Sequence, residues 1–174
     1  MRFAYADPPY LGCGRLYTAH HPDARVWDDP ATHRDLIGQL SRDFPDGWAL
    51  SASSPSLRAI LPLCPADVRV AAWVKPFAAF KRNVRVAYTW EPVIVRGGRA
   101  SSRDGAPVTR DYLAEPITLR RGLTGAKPER FCRWVLDVLG YIDGDELVDL
   151  FPGTGIMSRV TAQGTLPLGT GETA

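Results

Sequence analysis

The sequence has no apolar run near the roughly 18 residues that a bilayer span requires, so a membrane protein is not expected. Its three cysteines, Cys13, Cys64 and Cys132, are odd in number, far apart and outside any C-x-x-C pair. That argues against a disulfide framework or a zinc knuckle and for a reducing, cytoplasmic setting, with the three as small core or loop residues. His20, His21 and His33 have no acidic or cysteine partners at ligand spacing, so they are read as surface or helix-start residues and no metal is expected. No G-K-[S/T] follows a glycine loop, and no third glycine completes a dinucleotide fingerprint. Internal repeats are absent. The stretch Met1–Asp7 carries one basic residue and an early acid, unlike a secretory leader.

What remains is an ordinary globular composition. The chain has 174 residues, 45% apolar and 23% charged, enough for one domain with a full core. The net charge of +2 is unevenly spread: residues 1–74 hold 7 basic and 8 acidic side chains, 75–133 hold 13 and 5, and 134–174 hold 1 and 6. A cationic middle third suits a polyanionic partner, although a solvated arginine-rich surface explains the bias equally well.

Strand and helix patterns alternate along the chain. Short strands are expected at 2–6, 47–53, 68–76 and 145–151, and either one strand or a joined pair over 86–98, with a junction at Glu91-Pro92. Leu36, Ile37, Leu40 and Phe44 fall at helical spacing after Pro30, a serine opens a short helix after 53, and 127–140 reads as an amphipathic helix ended by Gly140. The alternation predicts an open α/β sheet with parallel central strands, which binds ligands beyond the strands' carboxyl ends. Residues 97–126 form a polar, arginine-rich stretch too long for an ordinary connector, and 161–174 read as a flexible tail.

Two unusual stretches sit at such carboxyl ends. Asp7-Pro8-Pro9-Tyr10 follows the first strand; its prolines remove backbone donors and stiffen the turn, leaving free acceptors beside a flat ring. Phe151-Pro152-Gly153-Thr154-Gly155 follows the last strand, and glycine there permits positive φ and close approach of a ligand. Alone, this second pattern fits an ordinary glycine turn as well as a ligand loop.

Together the two motifs resemble those of the amino-methyltransferases that use S-adenosylmethionine (SAM) to methylate the exocyclic amine of a nucleobase. The catalytic motif comes first and the cofactor motif last, similar to the permuted order of β-class and MT-A70-like adenine methyltransferases of small phage or bacterial type. "TWEPVIVRGG" and "GAKPERF" resemble further stretches of that family, and the likeness covers most of residues 1–160. It implies a single-domain, Rossmann-like class I methyltransferase sheet over 1–160, circularly permuted and shortened after the cofactor motif. It implies adenine-N6 methylation of DNA, with Asp7, Pro8, Pro9 and Tyr10 catalytic. Asp7 and the Pro8 carbonyl would accept from the amine and free its lone pair, while Tyr10 stacks on the base once it leaves the helix. The cofactor set it implies is Asp7, Lys127, Asp149, Phe151, Pro152, Gly153, Thr154 and Gly155, with Lys127 reaching the cofactor's carboxylate.

The family pattern is incomplete in two places. An acid to hold the cofactor's ribose is expected on a strand after the glycine turn, and only Glu172 remains there. A minimal site, an upstream residue or a second subunit in a homo- or hetero-oligomer would then complete it. A separate target-recognition domain is also missing, so Arg99, Arg103, Arg110, Arg120 and Arg121 of the 97–126 stretch are the candidate nucleic-acid contacts. RNA as substrate, and a non-catalytic nucleic-acid-binding subunit, are the alternatives.

Overall fold

A computed structural model describes residues 1–19, 21–77, 83–100, 108–118 and 126–164. Six strands form one sheet in the spatial order β5-β3-β4-β2-β1-β6. They are β1 (Arg2–Ala6), β2 (Gly47–Ser51), β3 (Arg69–Val74), β4 (Trp90–Gly97), β5 (Tyr112–Ala114) and β6 (Glu146–Asp149). The helices are α1 (Pro30–Asp43), α2 (Leu57–Ile60), α3 (Glu129–Leu139) and α4 (Ile156–Ala162). No described helix is long and apolar enough to cross a membrane.

Side-chain alternation splits the interior into two layers. Phe3 and Tyr5 of β1 point to one face, with Trp73, Val93 and Val95, against Phe131, Val135 and Leu139 of α3 and Met157 and Val160 of α4. Ala4 and Ala6 point to the other, with Trp48, Leu50 and Ile94, against Leu36, Ile37 and Leu40 of α1 and Ile60 of α2. Small residues on β1 and aliphatics on α1 thus let that helix lie close to the sheet. Asp29 caps α1, its carboxylate accepting from the Ala31 N–H at 2.8 Å, and Pro30 occupies the first helical position. Gly140 ends α3 at φ 67°, the left-handed conformation predicted for it.

The expectation of parallel central strands is corrected at one position. β1 pairs in parallel with β2 and β6, and β3 with β5, but β4 runs antiparallel to both β2 and β3. β4 is a single strand from Trp90, with no break at Glu91-Pro92: Pro92 sits opposite Ala72, and its carbonyl accepts from the Ala52 N–H at 3.0 Å. Two elements were not foreseen. β5 lies inside the stretch read as structureless; only Leu113 of its three residues is buried, too short for periodicity to register. α4 follows the glycine turn and carries the described chain to Ala162 and beyond. His33 is a helix-start residue, in the first turn of α1, and is buried, with a ring nitrogen 2.9 Å from the Trp27 carbonyl.

At the amino ends of the strands, Asp145 ties three segments together. Its carboxylate, 5% exposed, accepts from the amino terminus at 2.7 Å, from Arg99 Nη2 at 2.7 Å and from the Ile142 N–H at 3.0 Å. Burial pushes this carboxyl up, but those hydrogen bonds outweigh it and bring it down to about 2. A depressed folded value means stability that is complete above the ordinary carboxylate range and is lost as pH falls toward the folded value. Asp145→Asn is therefore expected to lower the urea midpoint at pH 7 and to flatten its fall between roughly pH 4 and 2. An unchanged acid limb would show that Asp145 is not the linked group.

Candidate active site

β1 and β6 are neighbours in parallel, with Tyr5 opposite Asp149, so the chain leaves both strands at the same end of the sheet. The Asp7 turn and the glycine turn consequently face one cavity of about 430 Å³. Its wall includes Asp7, Pro9, Tyr17, Lys127, Cys132, Asp149, Met157 and residues 151–154. The size is that of a small-molecule pocket. Gly153 and Gly155 have φ of 45° and 68°, which L side chains rarely adopt, and this explains two glycines in one turn. The Gly155 amide is already used within the turn, donating to the Pro152 carbonyl at 2.6 Å.

Asp7 sits in a closed polar network. Lys127 Nζ lies 2.9 Å from Asp7 Oδ1, 2.8 Å from Oδ2 and 3.0 Å from the Tyr10 hydroxyl, to which it donates. Tyr10 donates to Glu91 Oε2 at 2.7 Å, and Lys75 Nζ donates to Glu91 Oε1 at 2.8 Å. Lys127 also pairs with Glu91 at 3.5 Å. Both lysine side chains are nearly buried, at 7% and 9% exposure, among the rings of Tyr10, Trp73 and Phe131. Two cations and two anions balance, so the buried cluster carries no net charge.

The titration of these groups follows from that arrangement. Burial raises Asp7 above the usual carboxylate range, with Lys127 opposing it and Glu91 adding to it. Burial also pushes Glu91 up, but Lys127, Lys75 and the Tyr10 hydroxyl outweigh it and leave Glu91 below its ordinary value. Burial lowers Lys127, yet Asp7 and Glu91 reverse this and hold it firmly as an ammonium. Tyr10 is driven well above the ordinary phenol value by burial and then by Asp7, so its hydroxyl stays a neutral donor.

The structure brings together Asp7, Pro9, Lys127, Asp149, Phe151, Pro152, Gly153 and Thr154 around one cavity. The Pro8 carbonyl meets no donor among the described residues. Lys127 is found on Asp7, Tyr10 and Glu91. The Phe151 ring packs edge-on against Trp27 at 5.2 Å. Arg99 and Arg110 lie at the other end of the sheet from the cavity, for one reason. Because β4 runs backwards, residues after Gly97 emerge at the amino ends of the other strands, where Arg99 is engaged by Asp145 and by the Gly140 carbonyl at 3.0 Å. Arg110 precedes β5 at that same end, with its guanidinium on Tyr112. Arg103, Arg120, Arg121, Glu172 and His20 lie outside the described residues.

Glu91, Lys75 and Tyr17 were not anticipated as site residues. The signal for the first two was a charge embedded in an apolar strand pattern: the acid in "TWEPVIV" and the lysine closing "VAAWVK". The same reversal that removes Arg99 delivers Glu91, since the first residues of β4 lie at the carboxyl ends of its neighbours. Tyr17 follows the Asp7 turn and lines the cavity, its phenol raised by burial and by the nearby Asp7.

Tyr10→Phe removes a donor from the half-buried Glu91 and an acceptor from the nearly buried Lys127. It is expected to cost about 1–3 kcal/mol in urea unfolding, since the partners cannot regain water. Stability equal to that of the unaltered chain would show that the hydroxyl is not held.

No family model matches the sequence, and no curated protein matches it at the sequence level. Solved structures do. TTHA0409 of Thermus thermophilus, a candidate DNA modification methylase, superposes with a TM-score of 0.59 at 15% identity over 95% of this chain and 77% of that one. The same protein complexed with S-adenosyl-L-methionine gives 0.57 at 14%, over 95% and 76%. The M1.HpyAVI–SAM complex gives 0.54 at 14%, over 93% and 78%. At these identities the likeness speaks for architecture, and the chain has the mixed α/β fold of these Rossmann-like proteins.

Proposed function

We propose that this chain transfers a methyl group from S-adenosylmethionine to the N6 amine of adenine in DNA. The observation that carries the reading is the shared cavity: a half-buried carboxylate on a proline-stiffened turn faces a glycine turn across one pocket. The fold shared with a candidate DNA modification methylase and with M1.HpyAVI, both seen with SAM, supports the cofactor and the substrate class. The order of the motifs, catalytic turn first and glycine turn last, belongs to a permuted arrangement in this reading.

The residues present fit such a cofactor. Asp7 and Asp149 on the cavity wall are complementary to a sulfonium cation, and residues 151–154 bound the same space. Asp149 is itself raised by burial, and the Phe151 N–H donates to it at 3.1 Å, holding the carboxylate at the end of β6. When bound, the cofactor supplies an electrophilic methyl group on positively charged sulfur.

Asp7 and Pro8 act on the other reactant. An exocyclic amine on a purine is a weak nucleophile because its lone pair is delocalised into the ring. Two fixed acceptors on its N–H bonds favour a tetrahedral nitrogen with a localised pair. The Pro8 carbonyl, in a buried residue beside the cavity wall, has no donor among the described residues, and Asp7 retains capacity because Lys127 and the Tyr10 hydroxyl, at 3.3 Å, take about three of the roughly four sites a carboxylate offers. Both acceptors are set before substrate arrives, so little reorganisation is needed during transfer. Tyr10 is anchored through its hydroxyl and is not itself on the cavity wall; in this reading its ring, with Lys127 over it at 5.4 Å, would stack on an unstacked base only as the base enters.

Labelled SAM offered with duplex DNA, single-stranded DNA and RNA, followed by digestion, is expected to yield N6-methyladenine in DNA. Asp7→Ala is expected to reduce transfer by on the order of 10²-fold or more while SAM binding persists. Methylation of RNA alone would reassign the substrate, and wild-type rates in Asp7→Ala would remove the mechanism.

A further inference from the structure

Glu91 and Lys75 have no part in the transfer just described, yet they are held as tightly as the groups that do. Glu91 spends both oxygens inside the network, one on Lys75 and one on Tyr10. Lys75 lies against Trp73 and does not line the cavity. Such a pair is not needed for packing. Two charges removed from water give back little net stability, and an apolar pair of similar volume often does as well. What the pair adds is geometry: Glu91 fixes the direction of the Tyr10 hydroxyl and holds Lys127 at 3.5 Å, alongside Asp7.

We propose that Glu91, clamped by Lys75, is the positioning residue of this site, locking Tyr10 and Lys127 so that the Asp7 carboxylate is held aimed into the cavity. The chain of contacts is continuous. Lys75 orients Glu91, Glu91 orients Tyr10 and Lys127, and Lys127 grips both oxygens of Asp7. The register builds it in, because Glu91 on β4 stands opposite Trp73 on β3, two residues before Lys75. The groups that face Asp7 come from every neighbouring element: Lys127 before α3, Tyr10 on the same turn, Glu91 on β4, Tyr5 on β1, Tyr17 beyond the turn, Asp149 on β6 and Cys132 on α3. His21 also lines the cavity. Among these described groups Lys127 is the ammonium in contact with Asp7, and Glu91 both holds that ammonium and repels the carboxylate.

The two effects of Glu91 can be separated. The inference rests on the methyl-transfer reading for its kinetic arm, whereas its titration arm stands alone. Asp7 is followed by carbon-13 NMR of its carboxyl in the whole chain without added ligand. Methyl transfer is followed across pH at saturating SAM and DNA. Glu91→Gln keeps the shape and removes the charge that raises Asp7, so both the titration and the acid limb of transfer move to lower pH. Lys75→Met removes a cation and moves both to higher pH, and the double variant falls between. Each single variant is expected to lower kcat about tenfold or more, with KM for DNA changed by less than about threefold.

A merely structural role would lower activity without moving the titration. Folded variants whose Asp7 titrates as in the unaltered chain overturn the inference. If Glu91→Gln does not fold, Lys75→Met carries the same test. If the unaltered chain transfers no methyl group, the functional reading falls and the NMR titration still decides the positioning role.

Discussion

The parallel pairing of β1 with β6 is the constraint on which everything else rests. It joins segments more than a hundred residues apart: the Leu150 N–H donates to the Tyr5 carbonyl at 3.0 Å, and the Glu146 N–H to the Met1 carbonyl at 3.0 Å. Closing so long a loop costs conformational entropy that grows only slowly with length, and burial of Phe3 and Tyr5 against α3 offsets it. Because the two strands point the same way, the turns that follow them open into the same space. An antiparallel pair would have put the Asp7 turn and the glycine turn at opposite ends of the sheet. The Asp145 cluster fastens the other end of these strands, so the pairing is held at both termini.

The reversal of β4 is the second constraint, and it sorts charges between the two ends. The strand begins beside the cavity with Glu91 and ends at the far side with Gly97 and Arg99. One end receives an acid that completes a buried, electrically balanced cluster; the other receives a base that neutralises Asp145. Burial makes each arrangement demanding. A charge in the interior left without its partner costs several kcal/mol, so the four ionic groups around Tyr10 hold one another in place more firmly than any surface pair would. A site that must present a carboxylate in a fixed direction gains from that rigidity, at the expense of little or no net stability from the ion pairs themselves.

Much of this was legible in the sequence, and what was not has physical reasons. β1, α1, β2, β3 and α3 announce themselves through buried alternation, helical spacing and end signals such as Asp29-Pro30 and Gly140. Strand direction is not written in any local pattern, because the same "PVIV" run serves a parallel or an antiparallel neighbour; the orientation of β4, and with it the fate of Arg99, needed three dimensions. β5 is too short to show a period. Of the site, the two turns could be found because rare residue combinations sit at strand ends. Glu91 and Lys75 could not be assigned, since an isolated charge in a strand gives no indication of its partner. The contact of Lys127 with Asp7 was equally hidden, although Lys127 does line the cavity as a cofactor-site residue was expected to.

The most direct test of the account is a crystal structure of the chain grown with S-adenosylmethionine. The account predicts the sulfonium in the cavity between the Phe151–Thr154 turn and Asp7, its methyl group directed at the Asp7 carboxylate with room for an amine nitrogen between them. A cofactor bound elsewhere, or lying in this cavity with its methyl group turned away from Asp7, would contradict it.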